Sequence, residues 1–208
     1  MNLEQYQQPL EKPELELDEL IGRKEICAWL RGQISPEHDE SKSIAYLFAG
    51  KEGNGKRTAD NALAWYFYQA AASQKDTKFA YYQIPLQQLS GKSREETAAQ
   101  LEAVFGEIQK LCQKEQNQSR VIYISLGSLW TFLKHKKTAR VLLYGVDALL
   151  EDARTRSEKY PVCLTGYCHK ESSRLPGEVY SVFRTVEFPS PDTAQRQEYF
   201  KWVQTNNP

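Results

Sequence analysis

The stretch Ile44-Ala45-Tyr46-Leu47-Phe48-Ala49-Gly50-Lys51-Glu52-Gly53-Asn54-Gly55-Lys56-Arg57-Thr58 decides the fold. A continuous apolar run ends in glycine, and an alanine- and aromatic-rich segment continues to Ala72. An apolar run without alternation is the pattern of a strand covered on both faces. Strand, glycine loop and helix, in that order, is the context a phosphate-binding loop requires. That loop reads Gly, four residues, Gly, Lys, then Ser or Thr. Gly50, Gly55 and Lys56 fall in register, but Arg57 stands at the hydroxyl position. Gly50, Gly53 and Gly55 permit a tight backbone, and Lys56 and the dipole of the following helix suit phosphate oxygens. The hydroxyl that would help hold Mg²⁺ is missing. Thr58 comes one place late and is turned by about 100° around the helix. The alternative is architectural: the glycine turn serves only the strand-to-helix geometry.

Working outward, the chain alternates strands and helices. Lys78–Pro85, Val121–Ile124, Val162–Gly166 and Val186–Phe188 read as further strands. Helices are expected in the later part of Leu20–Ile34 and over Thr58–Ala72, Glu95–Glu115, Leu142–Arg154 and Thr193–Gln204. In the third of these, Leu101, Val104, Phe105, Ile108 and Leu111 share one side. Ser35–Lys42 reads as a polar loop. This order predicts a three-layer α/β domain with a parallel sheet of about five strands. Ligands in such sheets bind at the carboxyl ends of the strands, where the glycine turn falls.

Composition narrows the function classes. The chain has 208 residues, 40% hydrophobic and 26% charged, as a single globular domain requires. Lys+Arg and Asp+Glu are both 27, so no cationic excess argues for nucleic acid. Cys27, Cys112, Cys163 and Cys168 lack paired zinc-ligand spacing, and His38, His135 and His169 are scattered, so no metal is expected. Reduced, buried thiols in an intracellular protein, cytoplasmic or nuclear, are the simpler expectation. No segment has the length of a membrane span, and the N-terminus lacks a signal peptide's basic and apolar regions. Residues 1–17 read as an extended lead-in, 18–204 as the α/β domain and 205–208 as a tail, with no helical lid after Gln204. Both ends have the look of linkers, as in one module of a longer protein, with a free-standing small protein as the alternative.

Several segments, taken together, resemble the AAA+ ATPase modules. Leu17-Asp18-Glu19-Leu20-Ile21-Gly22-Arg23-Lys24-Glu25-Ile26 is similar to their opening segment, and the glycine loop follows it. Val121–Ile124 resembles the Walker B strand, and Cys163–Cys168 the sensor strand. Val186–Asp192 with Arg196 resembles the closing segment. The order is most similar to the first ATPase module of ClpB-type chaperones. Ala45–Gly50 with Gly55–Thr58 also resembles the non-hydrolysing subunit of clamp loaders.

The resemblance implies a set of catalytic positions, and this chain departs from them. Phosphoryl transfer needs acids for Mg²⁺ and water, a polar sensor and an arginine from a neighbour. Ser125 stands at the Walker B Asp position and Leu126 at the Glu position. Cys168 stands at the sensor. Ser181-Val182-Phe183 stands where ClpB-type modules carry Arg-Arg-Phe, with Arg184 one residue beyond. Asp147, the next acid after the strand, reads as a helix-surface residue. The implied protein is a pseudo-ATPase with degenerate Walker A and Walker B motifs. It would bind ATP or ADP weakly at most, through Gly50, Gly53, Gly55, Lys56 and Thr58, without a metal and without catalytic residues. Its partners would be other AAA+ subunits or unrelated proteins. A slow ATPase of a protein-remodelling machine and a clamp-loader or initiator-type subunit are the alternatives. The basic run Lys134–Lys137 reads as a solvated loop, and Trp130-Thr131-Phe132 as a candidate contact surface.

Overall fold

The computed structural model describes residues 3–34, 43–89, 91, 93–157, 159–170 and 172–206. The expected polar loop at 35–42, with His38, lies outside them. Five strands, β1 (Ile44–Ala49), β2 (Lys78–Gln83), β3 (Arg120–Ser128), β4 (Val162–Cys168) and β5 (Arg184–Glu187), form one sheet in the order β2-β3-β4-β1-β5. Every pairing between them is parallel. The connecting helices are α1 (Lys24–Ile34), α2 (Lys56–Ala72), α3 (Arg94–Asn117), α4 (Trp130–Leu133), α5 (Lys136–Arg156), α6 (Val179–Val182) and α7 (Thr193–Asn206).

Strand periodicity divides the core into two layers. Tyr46 and Phe48 of β1 face a cluster built with Leu20, Cys27, Leu30, Leu63 and Phe67 from α1, α2 and the turn before α1. Ala45, Leu47 and Ala49 face the opposite cluster with Leu101, Phe105 and Ile108 of α3 and Leu142, Val146 and Leu149 of α5. The expected three-layer α/β architecture with a five-stranded parallel sheet is what the chain forms.

Element boundaries differ in instructive places. α2 begins at Lys56 rather than Thr58, with Gly55 at φ +83° as its cap. α5 begins at Lys136, well before the expected Leu142, so Lys136 and Lys137 form its first turn instead of a loop. The apolar repeat shows only from Leu142 because the helix starts with polar residues, although Thr138 and Ala139 are already buried. β3 runs on to Ser128, past an irregularity between Ser125 and Ser128 where Gly127 takes φ +72°. Trp130-Thr131-Phe132 lies on a short helix in which Phe132 is fully buried, Trp130 packs partly buried against the core and Thr131 is exposed. Leu3 is buried against the α3 side, Gln7 bridges Tyr82, and the Gln8 N–H donates to the Tyr81 carbonyl at 3.1 Å. The first residues therefore lie along the β2 edge of the sheet.

Candidate functional site

The glycine loop leaves the carboxyl end of β1, beside the ends of β4 and β5. Gly50 has φ +141° and donates its N–H to the Lys170 carbonyl at 2.8 Å. A Cβ at Gly50 would overlap the Phe188 carbonyl oxygen. Gly53 and Gly55 have φ +80° and +83°, and a Cβ on either would meet nothing within 4 Å. Gly50 is thus required by packing, whereas Gly53 and Gly55 are required by backbone conformation.

Lys56 is 5% exposed. Its Nζ donates to the carbonyl oxygens of Gly50 at 2.7 Å and Lys51 at 2.5 Å. Burial pushes its pKa down, and the nearby Cys168 thiol, Glu52 and Glu187 oppose that shift. The ammonium therefore sits inside the loop, turned on the loop's own oxygens. Arg57 and Thr58 are both exposed on the first turn of α2. The structure brings Gly50, Gly53, Gly55 and Lys56 together around one turn, with Thr58 outside on the helix.

The loop is held from below by two residues. Arg23, 8% exposed, donates through Nη2 to the carbonyls of Asn54 at 3.1 Å and Pro189 at 2.8 Å. Its guanidinium also lies 5.7 Å from the Phe188 ring centroid. Asn54 donates through Nδ2 to the Phe188 carbonyl at 2.8 Å. The opening segment, the loop and the closing segment are thereby tied at one point by Arg23 and Asn54.

An acid is present at the end of β3, but it comes from α2. Asp60 is 3% exposed. It accepts from Ser125 Oγ at 2.6 Å, Thr165 Oγ1 at 2.6 Å and Tyr123 OH at 2.7 Å. Burial raises its pKa, against the three hydroxyls and the charge of Arg57. Asp60 is not found by reading along β3, because it reaches the strand from α2. The available signal was its position four residues after Lys56, one helical turn on.

The remaining positions follow from strand parity. Ser125 faces α2, while Leu126 faces the other cluster and is fully buried. Cys168 is the last residue of β4, buried, its Sγ accepting from the Lys170 N–H at 3.4 Å. Burial raises its pKa. Ser181 and Val182 lie on α6, and Arg184 opens β5 in register with Tyr46 of β1. Asp147 is exposed on α5.

These residues fit a phosphate group better than a nucleotide-bound Mg²⁺. Two left-handed glycines with open space above them and an uncapped helix start suit an anion. For a metal, the Ser125 hydroxyl is directed at Asp60, Leu126 offers no oxygen, and Arg57 brings a positive charge to the hydroxyl position. That donor set does not fit Mg²⁺.

No protein-family profile matches the sequence, and no curated protein matches it. Solved structures do match its fold. The chain is similar to the E. coli HORMA:CdnC:Trip13 complex at 16% identity and TM-score 0.57, over 92% of this chain and 65% of that one. It is similar to C. elegans PCH-2 at 16% identity and TM-score 0.58, over 88% and 46%. It is also similar to the FIGL-1 AAA domain in complex with ADP, at 16% identity and TM-score 0.54, over 93% and 62%. The chain spans between about half and two thirds of these proteins' lengths. One of these neighbours is an AAA domain, and the fold of this chain is that of such a core.

Proposed function

We propose that the chain is a catalytically impaired AAA+-like module, a pseudo-ATPase that acts as a structural or protein-interaction domain. The observation that carries this reading is the state of the β3 terminus. Ser125 is hydrogen-bonded to a buried Asp60, and the adjoining Leu126 is sealed in the core. The carboxylate there, Asp60, already accepts from Ser125, Thr165 and Tyr123, and Leu126 offers no oxygen to a metal or a water, which supports this reading. Arg57 at the hydroxyl position and Cys168 at the sensor position point the same way. The loop keeps a phosphate cradle in Gly50, Gly53, Gly55 and Lys56, so ATP or ADP would bind without being split.

The same cradle favours the second reading, a slow ATPase of a protein-remodelling machine, since Lys56 and the loop glycines keep their places. A fluorescent ATP analogue titrated with and without Mg²⁺, against wild type and Lys56→Ala, separates the cases. The pseudo-ATPase reading expects Lys56-dependent binding that Mg²⁺ does not strengthen. Tightening of about tenfold or more on adding Mg²⁺ would favour the slow ATPase. No binding at millimolar nucleotide would leave the loop a purely architectural turn.

A further inference from the structure

A cleft of about 540 Å³ opens between α5 and the segment Pro176–Val182, away from the glycine loop. Its floor is apolar, with Leu133, Ala139 and Leu143 largely buried. Lys134, Lys136 and Arg140 line one part of it, and all three are exposed. Among the described residues none of the three has a salt-bridge partner, whereas the neighbouring Lys137 pairs with Glu95 at 3.4 Å. Their charge is the more pronounced because α5 starts with no acidic residue in its first turn and no side-chain cap. A helix start with positive charge on it is a poor arrangement for the helix alone. An anion placed there would relieve it.

The lining residues of α5 form a stripe. Lys136, Arg140, Leu143, Tyr144 and Asp147 recur at threes and fours, so they share a face. Tyr144 is 75% exposed, a large aromatic side chain left uncovered toward the far end of the stripe. Asp147 ends the stripe, and Glu178 stands on the facing wall. From Lys136 to Asp147 the helix rises about 16 Å. An extended peptide covers that in about five residues. The order along the cleft is cationic, then apolar and aromatic, then anionic.

We propose that this cleft docks an extended acidic–apolar peptide segment of a partner protein. Acidic side chains would meet Lys134, Lys136 and Arg140, and an apolar or aromatic side chain would sit on Leu143 against Tyr144. A basic residue would meet Asp147. Matched charges set the direction and register of the peptide, and the uncovered tyrosine supplies the anchoring contact. The inference rests on the interaction half of the proposed function and not on the loop. Peptide and nucleotide titrations can therefore fail separately.

The test is fluorescence anisotropy with a labelled Glu-Glu-Phe-Leu-Ser-Lys peptide. Saturable binding that weakens as salt is raised is expected. Lys136→Glu combined with Arg140→Glu should weaken it by about tenfold or more. Tyr144→Ser, at a site too exposed to threaten folding, should weaken it several-fold. Lys201→Glu, exposed on α7 far along the chain, should leave it unchanged. Circular dichroism confirms that each variant is folded. No binding at millimolar peptide, equal binding of a peptide with Gln for Glu, or binding that survives the double reversal overturns the proposal. So does displacement of the peptide by inorganic phosphate or a short oligonucleotide in preference to unlabelled peptide.

Discussion

A carboxylate at position 125 would stand within hydrogen-bond reach of Asp60, because Ser125 Oγ is 2.6 Å from Asp60 Oδ2. Two carboxyls in that buried space cannot both ionise. Ser125→Asp alone should therefore destabilise the fold at neutral pH by about 3 kcal/mol. Combined with Asp60→Ser it should recover much of that loss. Urea unfolding of the two single variants and the double variant measures the coupling, and simple additivity would falsify the exclusion. Asp60 also gives a pH signature. Its folded pKa is raised by burial. The contribution is therefore complete below the unfolded carboxylate pKa and is lost as pH rises through the folded value. Asp60→Asn should flatten that part of the stability–pH curve, as thermal unfolding across the acidic-to-neutral range would show. An unchanged slope would mean that Asp60 is not the group responsible.

At the scale of elements, the loop is braced by close packing on Phe188, the residue after β5. Gly50→Ala places a methyl group on the Phe188 carbonyl at a strained φ, and should cost about 3 kcal/mol. Gly106→Ala, in α3 with open space around it, should stabilise by about 0.5–1 kcal/mol. Chemical denaturation of both variants checks the contrast, and a neutral Gly50→Ala would remove the bracing argument. The elements themselves were legible where apolar residues recur, as in β1 and α3. They were least legible where polar residues begin a helix, as at Lys136–Arg140 of α5, because its first buried residues, Thr138 and Ala139, are a polar and a small side chain that make no apolar repeat. The loop glycines and Lys56 could be read from spacing alone. Asp60 could not, because its partners Tyr123, Ser125 and Thr165 arrive from β3 and β4 through tertiary folding. Arg23 was visible as a landmark, but its bonds to Asn54 and Pro189 join segments far apart in sequence.

At the scale of the whole molecule, a parallel AAA+ sheet places the glycine loop and the ends of β3 and β4 at one edge. Chemistry there depends on what those ends carry. Here they carry Ser125, Leu126 and Cys168, with Asp60 drawn into the sheet interface below. The fold is thus maintained by groups that stand where the resemblance implies catalytic positions. The measurement that bears most directly on this account is phosphate release from Mg²⁺-ATP, under single-turnover conditions with protein in excess. The account predicts no release above the level of the Lys56→Ala variant. Release that depends on Lys56, at about 0.01 per second or faster, would contradict it and make the chain an ATPase with an unconventional site.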